Sequence, residues 1–122
     1  MKINDSVVLV VVAHPDDEVL GMGGTITKYV KAGHDVRIAI MATGVFARRS
    51  PNFKNSTEYR IDERTLKKME KQMHDLRKDA LKASRIMGVK HTEFMDFPDN
   101  DMDTVSNLEI TKKIESLVAA FK

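Results

Sequence analysis

His14, Asp16, Asp17 and Glu18 form a cluster of ligand-type side chains in the segment HPDDE, which directly follows a valine-rich run. Imidazole nitrogen and carboxylate oxygen suit divalent metal ions, and a carboxylate beside a metal can act as a general base. One acid at this position could simply cap the next helix, because N-caps favour aspartate. Two further carboxylates would repel one another, so a bound cation explains the whole cluster better than capping alone. The cluster predicts a metal site.

The elements around this cluster predict a parallel sheet. Val7 to Ala13 is a continuous β-branched run that is typical of a strand buried on both faces, and Val36 to Ala42 is a second apolar run. Between the two runs, a helical stripe leads to Gly33, which is typical of a helix end. The stripe consists of Val19, Met22, Ile26 and Tyr29. This order of strand, helix and strand indicates a βαβ unit. The HPDDE cluster then lies at the carboxyl end of the parallel strands, where open α/β sheets bind ligands.

The second half of the chain predicts two more helices and a third strand. A long apolar stripe with spacings of three and four consists of Leu66, Met69, Met73, Leu76, Ala80, Ala83 and Met87. Gly88 ends this helix, Glu93 to Phe97 is the third strand, and SNLE from Ser106 has the capping-box pattern of a final helix. We expect one domain over residues 1–122, a Rossmann-like three-layer α/β/α fold with a mostly parallel sheet. We expect it to be incomplete at the C-terminus, because no strand follows the last helix.

Composition excludes several classes of protein. The 20 basic and 18 acidic side chains are interleaved, and the net charge of +2 gives no reason to expect a nucleic acid partner or a membrane surface. Cysteine is absent, which excludes disulfides, thiolate metal sites and a cysteine nucleophile. The valine-rich run is too short to span a bilayer and is a poor signal-peptide core. We therefore expect a cytoplasmic protein without a membrane span.

Gly21, Gly23 and Gly24 raise the alternative of a dinucleotide site, since a glycine-rich turn can follow a first strand. In that fingerprint the glycines form the turn itself and approach a pyrophosphate. Here they come after three acids that would repel phosphate. We expect them instead to allow the helix to approach the sheet closely.

The segment AHPDDE after a valine-rich strand, followed by Gly21 and by GT at 24–25, resembles the signature of the LmbE-like or PIG-L family of zinc-dependent sugar N-deacetylases. The segments ASRIMGV at 83–89 and FPD at 97–99 match later parts of that family. The resemblance extends over essentially the whole chain, as the N-terminal part of the family domain. It implies a deacetylase of the N-acetylglucosaminyl type, acting on a small N-acetylated sugar conjugate.

The resemblance also implies roles for three residues of the cluster. His14 and Asp17 would ligate Zn²⁺, and Asp16 would be the general base for a zinc-activated water that attacks the acetyl carbon. The third zinc ligand and the catalytic histidine of the family lie in a later segment that this chain does not contain. We therefore expect a truncated form of a longer enzyme, which needs a third ligand from elsewhere.

Two substrate contacts follow from the same resemblance. Arg77 lies near the position of a family arginine, although Leu76 takes the aligned place and Arg77 is the next residue around the helix. Asp99 matches an acid that binds sugar hydroxyls, and a turn-forming Pro-Asp pair is its alternative explanation.

Two other functions stay open at this point. A receiver domain with a phospho-acceptor aspartate would also place acids after its strands, but it needs two further strands bearing a hydroxyl residue and a lysine after Asp99. A noncatalytic sugar-binding module of the same fold is the third possibility.

Overall fold

The computed structural model describes residues 6–42, 44–45, 62–99 and 101–121. Within these ranges the elements are β1 (Val7–Val12), α1 (Asp17–Lys31), β2 (Asp35–Ala42), α2 (Glu63–Met87), β3 (His91–Phe97), a 3₁₀ turn (Met102–Thr104) and α3 (Asn107–Ala120). The strands form one sheet in the order β1-β2-β3, and both pairings are parallel. The predicted α/β fold class is confirmed.

Two apolar clusters lie on opposite faces of β2 and define the layers. Ile38 and Ile40 pack on one face with residues of α1 and α2, while Ala39 and Met41 pack on the other face with Leu117 of α3. This alternation follows from the two-residue period of a strand. The result is a sheet with α1 and α2 on one side and α3 on the other. Among the described helices, none combines the length and apolar character needed to cross a bilayer.

β1 lacks the two-sided burial that its valine-rich sequence predicts. Val7 and Val11 are 39% and 38% exposed, whereas Val10 is 3% exposed. Within the described residues β1 pairs only with β2, so it is an edge strand. One of its faces is buried against the helices, and the other is only partly covered.

The apolar stripes of α1 and α2 are longer than the surfaces that they bury. In α1, Ile26 is 1% exposed, but Val19, Met22 and Tyr29 are 40%, 38% and 42% exposed. α2 has 25 residues and is about 37 Å long, whereas strands of six to eight residues span only about 20 to 26 Å. The first turns of α2 therefore extend past the sheet, and Leu66 is 38% exposed.

The predicted helix ends are confirmed. Gly33 after α1 and Gly88 after α2 have φ angles of 93° and 82°, a left-handed conformation that glycine adopts without strain. Ser106 caps α3, because its side chain accepts a hydrogen bond from the backbone N–H of Glu109.

The predicted close approach of the α1 glycines to the sheet is wrong. A Cβ atom added to Gly21 or Gly24 would meet no described atom within 4 Å. Only Gly23 lies near α2, where a Cβ would be 3.7 Å from the sulfur of Met87.

Candidate functional site

The HPDDE cluster lies at the carboxyl end of β1, and Asp99 follows the carboxyl end of β3. The Nε2 atom of His14 and the Oδ1 atom of Asp99 are 2.8 Å apart, although the two residues are separated by 85 positions in the chain. The Asp99 side chain is 0% exposed. Two predicted site residues therefore meet at the carboxyl end of the sheet.

The contact with Asp99 determines which ring nitrogen of His14 is available. An ionised carboxylate can only accept, so a neutral ring that donates Nε2–H to Asp99 carries its lone pair on Nδ1. This Nδ1 atom lies 3.9 Å from Oδ2 of Asp17. Zinc forms bonds of about 2.0 to 2.2 Å to such nitrogen and oxygen atoms, so one ion between them can reach both. The pair fits two ligand positions of a zinc site.

The described residues do not complete such a site. Within 6–42, 44–45, 62–99 and 101–121, no group of three His, Asp or Glu side chains could hold a metal ion. A catalytic zinc normally has three protein ligands. The described chain thus brings together two candidate ligands, one fewer than such a site needs.

The three consecutive acids make different contacts. Oδ2 of Asp17 accepts a hydrogen bond from the backbone N–H of His14 at 3.0 Å. Oε2 of Glu18 accepts one from the backbone N–H of Asp16, also at 3.0 Å. Two of the acids therefore each accept from a backbone donor of their own, and the described contacts do not bring all three carboxylates to one position.

Asp16 occupies the N-cap position of α1 but does not cap the helix with its side chain. Its backbone φ is 148°, and among the described residues it is the only one other than glycine with a positive φ. Its side chain is exposed, in contrast to that of Glu18, which is 0% exposed. Capping therefore does not explain Asp16, and its carboxylate is available for chemistry.

The family profile described as PIG-L, GlcNAc-PI de-N-acetylase, matches residues 9–122. The chain belongs to the PIG-L family. This confirms the family predicted from AHPDDE and favours a hydrolase over a receiver domain. Among curated proteins, no sequence matches this PIG-L family chain.

Solved structures that resemble this PIG-L family chain include a hydratase and a deacetylase. GalB, the 4-carboxy-2-hydroxymuconate hydratase of Pseudomonas putida KT2440, has 26% identity and a TM-score of 0.59, over 80% of this chain and 36% of that one. The N,N'-diacetylchitobiose deacetylase of Pyrococcus horikoshii, complexed with its inhibitor MPG, has 27% identity and a TM-score of 0.57, over 81% and 32%. This chain spans about a third of the length of either protein.

Arg77, the predicted substrate contact on α2, is engaged with β3. Its Nη2 atom donates to Oδ1 of Asp96 at 2.7 Å, and its guanidinium carbon lies 5.4 Å from the centre of the Phe94 ring. The neighbouring Leu76 instead lines a cavity of about 280 Å³ that also borders Asp16. The one-residue shift noted in the sequence thus separates two different faces of α2.

The other histidines lie away from the cluster. Nδ1 of His34 is 2.6 Å from the hydroxyl oxygen of Ser6, beside the amino end of β1. His91 is the first residue of β3, at the end of that strand opposite to Asp99. His74 is exposed on α2.

Sequence reasoning missed two features of the site. It assigned Asp99 to the sugar and did not anticipate its hydrogen bond to His14. It treated Glu18 as a first-turn acid or part of a cation cluster, whereas Glu18 is buried. The position of both His14 and Asp99 after parallel strands was the available signal for their proximity. We find no sequence signal for the burial of Glu18.

Proposed function

We propose that this chain provides the metal-binding and proton-accepting part of a zinc-dependent N-deacetylase, which removes the acetyl group from an N-acetylated amino sugar or its conjugate. The arrangement of His14 carries the proposal, because Nε2 is bound to buried Asp99 while Nδ1 lies 3.9 Å from Asp17. The family description and the likeness to a chitobiose deacetylase support the reaction class.

His14 and Asp17 would hold the zinc ion, and Asp99 would orient His14. Metal-binding histidines commonly donate their second N–H to a carboxylate, which sets both the tautomer and the ring orientation. Zinc, when bound, lowers the pKa of water to about 7 and polarises an amide carbonyl. A third ligand has to come from outside the described residues.

Asp16 is the general base in this proposal. Its carboxylate is not used for capping, so it can accept a proton from water as the water oxygen bonds to the acetyl carbon. The bond between that carbon and the amide nitrogen then breaks, and the nitrogen takes a proton from a general acid. The products are acetate and a free amino sugar. Arg77 and Asp99 also stay proposed substrate contacts.

Zinc titration of matched histidine variants tests the metal site. We expect His14→Asn to weaken zinc binding and His34→Asn to leave it unchanged, because only His14 lies beside a carboxylate at the carboxyl end of the sheet. Asp16→Asn should retain zinc but slow acetate release from N-acetylglucosamine derivatives. Equal zinc affinity in the two histidine variants would refute the metal assignment.

A hydratase is the second candidate, favoured by the likeness to GalB. A base at Asp16 that takes a proton from water would serve hydration of a double bond as well as amide hydrolysis. The loss of ultraviolet absorbance of 4-carboxy-2-hydroxymuconate, without acetate release from acetylated sugars, would favour this activity. Sugar binding with neither reaction would favour the noncatalytic module.

A further inference from the structure

Glu18 is a carboxylate buried beside the apolar core. It is 0% exposed and stands among the largest fully buried side chains with Ile26, Ile38 and Ile40. Its Oε1 atom has no hydrogen-bond partner among the described residues. Its Oε2 atom accepts from the backbone N–H of Asp16. Burial of a carboxylate with a single described hydrogen bond costs stability. The placement of Glu18 against the Asp16 backbone therefore requires an explanation.

The backbone of Asp16 is the second unusual feature. Its φ of 148° lies in the region that side chains other than glycine rarely adopt, and such conformations persist only where the surroundings enforce them. The two other α-helix N-caps of the described chain provide an internal comparison. Asp62 and Ser106 have φ angles of −67° and −62°, and both cap their helices with their side chains. Asp16 alone among the three has a positive φ and no side-chain cap.

Geometry connects these two observations. Glu18 lies two residues after Asp16, in the first turn of α1, and its carboxylate returns to the backbone N–H of the N-cap residue. At the same time the Asp16 carbonyl accepts from the N–H groups of Val19 and Leu20. The backbone of Asp16 is therefore held on both sides, by a buried carboxylate at its N–H and by the helix at its carbonyl.

We propose that Glu18 is a positioning residue, which holds the Asp16 backbone at positive φ and thereby keeps the Asp16 carboxylate off the helix N-terminus and free to accept a proton. This inference rests on the proposed function in one respect, the role of Asp16 as the base. Glu18 itself makes no contact with the reacting atoms in this assignment.

Two variants of Glu18 test the hydrogen bond directly. Glu18→Gln keeps an oxygen acceptor of the same length, and Glu18→Met keeps the length without a good acceptor. We expect Glu18→Met to speed hydrogen exchange at the Asp16 amide by about tenfold or more, and Glu18→Gln to leave it within about threefold of the native rate. An unchanged exchange rate in folded Glu18→Met would overturn the proposal.

Kinetics of the zinc-loaded chain separate positioning from a merely structural role. Glu18→Met should lower kcat for acetate release by about 10² with KM unchanged, and Glu18→Gln should retain most of kcat. In an Asp16→Asn background, Glu18→Met should cause no further loss of kcat, because it acts only through Asp16. Equal losses in both backgrounds would overturn the proposal.

Two further measurements cover a Glu18→Met variant that does not fold and an Asp16→Asn variant that stays active. Should Glu18→Met fail to fold, Asp16→Gly/Glu18→Met is measured by urea denaturation, because glycine adopts positive φ without strain. Restored folding supports the proposal, and no restoration overturns it. If Asp16→Asn leaves the native activity unchanged, the proposed function fails at its base, whereas amide exchange still decides whether Glu18 holds Asp16.

Discussion

Replacing Gly88 with alanine should strongly destabilise the junction between α2 and β3. Gly88 has a φ of 82°, and an added Cβ would lie 2.7 Å from Cγ1 of Val30. The left-handed backbone costs an L-residue about 1 to 2 kcal/mol. Carbon atoms in contact are about 3.5 to 4.0 Å apart, so the stiff valine has to shift by about 1 Å, which costs about 1 to 3 kcal/mol more. We expect a total loss of about 2 to 5 kcal/mol.

Gly33→Ala is the matched control. Gly33 has a φ of 93°, but a Cβ there would meet no described atom within 4 Å, so only the backbone cost of about 1 to 2 kcal/mol applies. Urea denaturation monitored by circular dichroism measures both free energies of unfolding. Val30→Ala removes the opposing side chain, so it should be less costly, or even stabilising, in the Gly88→Ala background.

Two results would refute this reasoning. Equal losses for Gly88→Ala and Gly33→Ala would show that the Val30 contact contributes nothing. A Val30→Ala substitution with the same cost in both backgrounds would show that the added methyl group and Val30 do not interact.

Three further predictions concern the core, a helix cap and the candidate metal site. Ile26→Ala should reduce the free energy of unfolding by about 2 to 5 kcal/mol in the same urea assay, because this side chain is 1% exposed. The backbone N–H of Thr65 donates to Asp62 and holds its pKa below the ordinary 3.8, so the cap of α2 is present above that value and is lost as the pH falls through the lowered pKa. Asp62→Asn should make the helical circular dichroism less sensitive to acid, and an unchanged acid transition would contradict this. Asp99→Asn should weaken zinc binding by about 10- to 100-fold in a calorimetric titration, whereas Asp96→Asn in β3 should leave it unchanged.

Most of the fold could be predicted from the spacing of apolar residues. This spacing differs between helices and strands, because each has to place its apolar side chains on one buried face. α2 is predicted from the spacing of its stripe, and it ends at Gly88 as expected. The positions of His14 and Asp99 after parallel strands indicate that both lie at the carboxyl end of the sheet, but they do not indicate the hydrogen bond between them.

Periodicity does not reveal what covers an apolar face, and this explains the errors. Val11 lies in a valine-rich run that is typical of a buried strand. It is nevertheless 38% exposed, because β1 is an edge strand in the described sheet. The individual roles of the three acids were equally inaccessible. Asp17 and Glu18 accept from backbone N–H groups beside the positive φ of Asp16, and the spacing of apolar residues does not indicate that φ.

The separation of 85 positions between His14 and Asp99 has a consequence for biosynthesis. A ribosome adding about 5 to 20 residues per second needs about 4 to 17 s to extend the chain across this interval of 85 residues. For that time the imidazole is present in the nascent chain without the carboxylate that orients it. The hydrogen bond between His14 and Asp99 therefore forms only after β1, α1, β2, α2 and β3 have been translated.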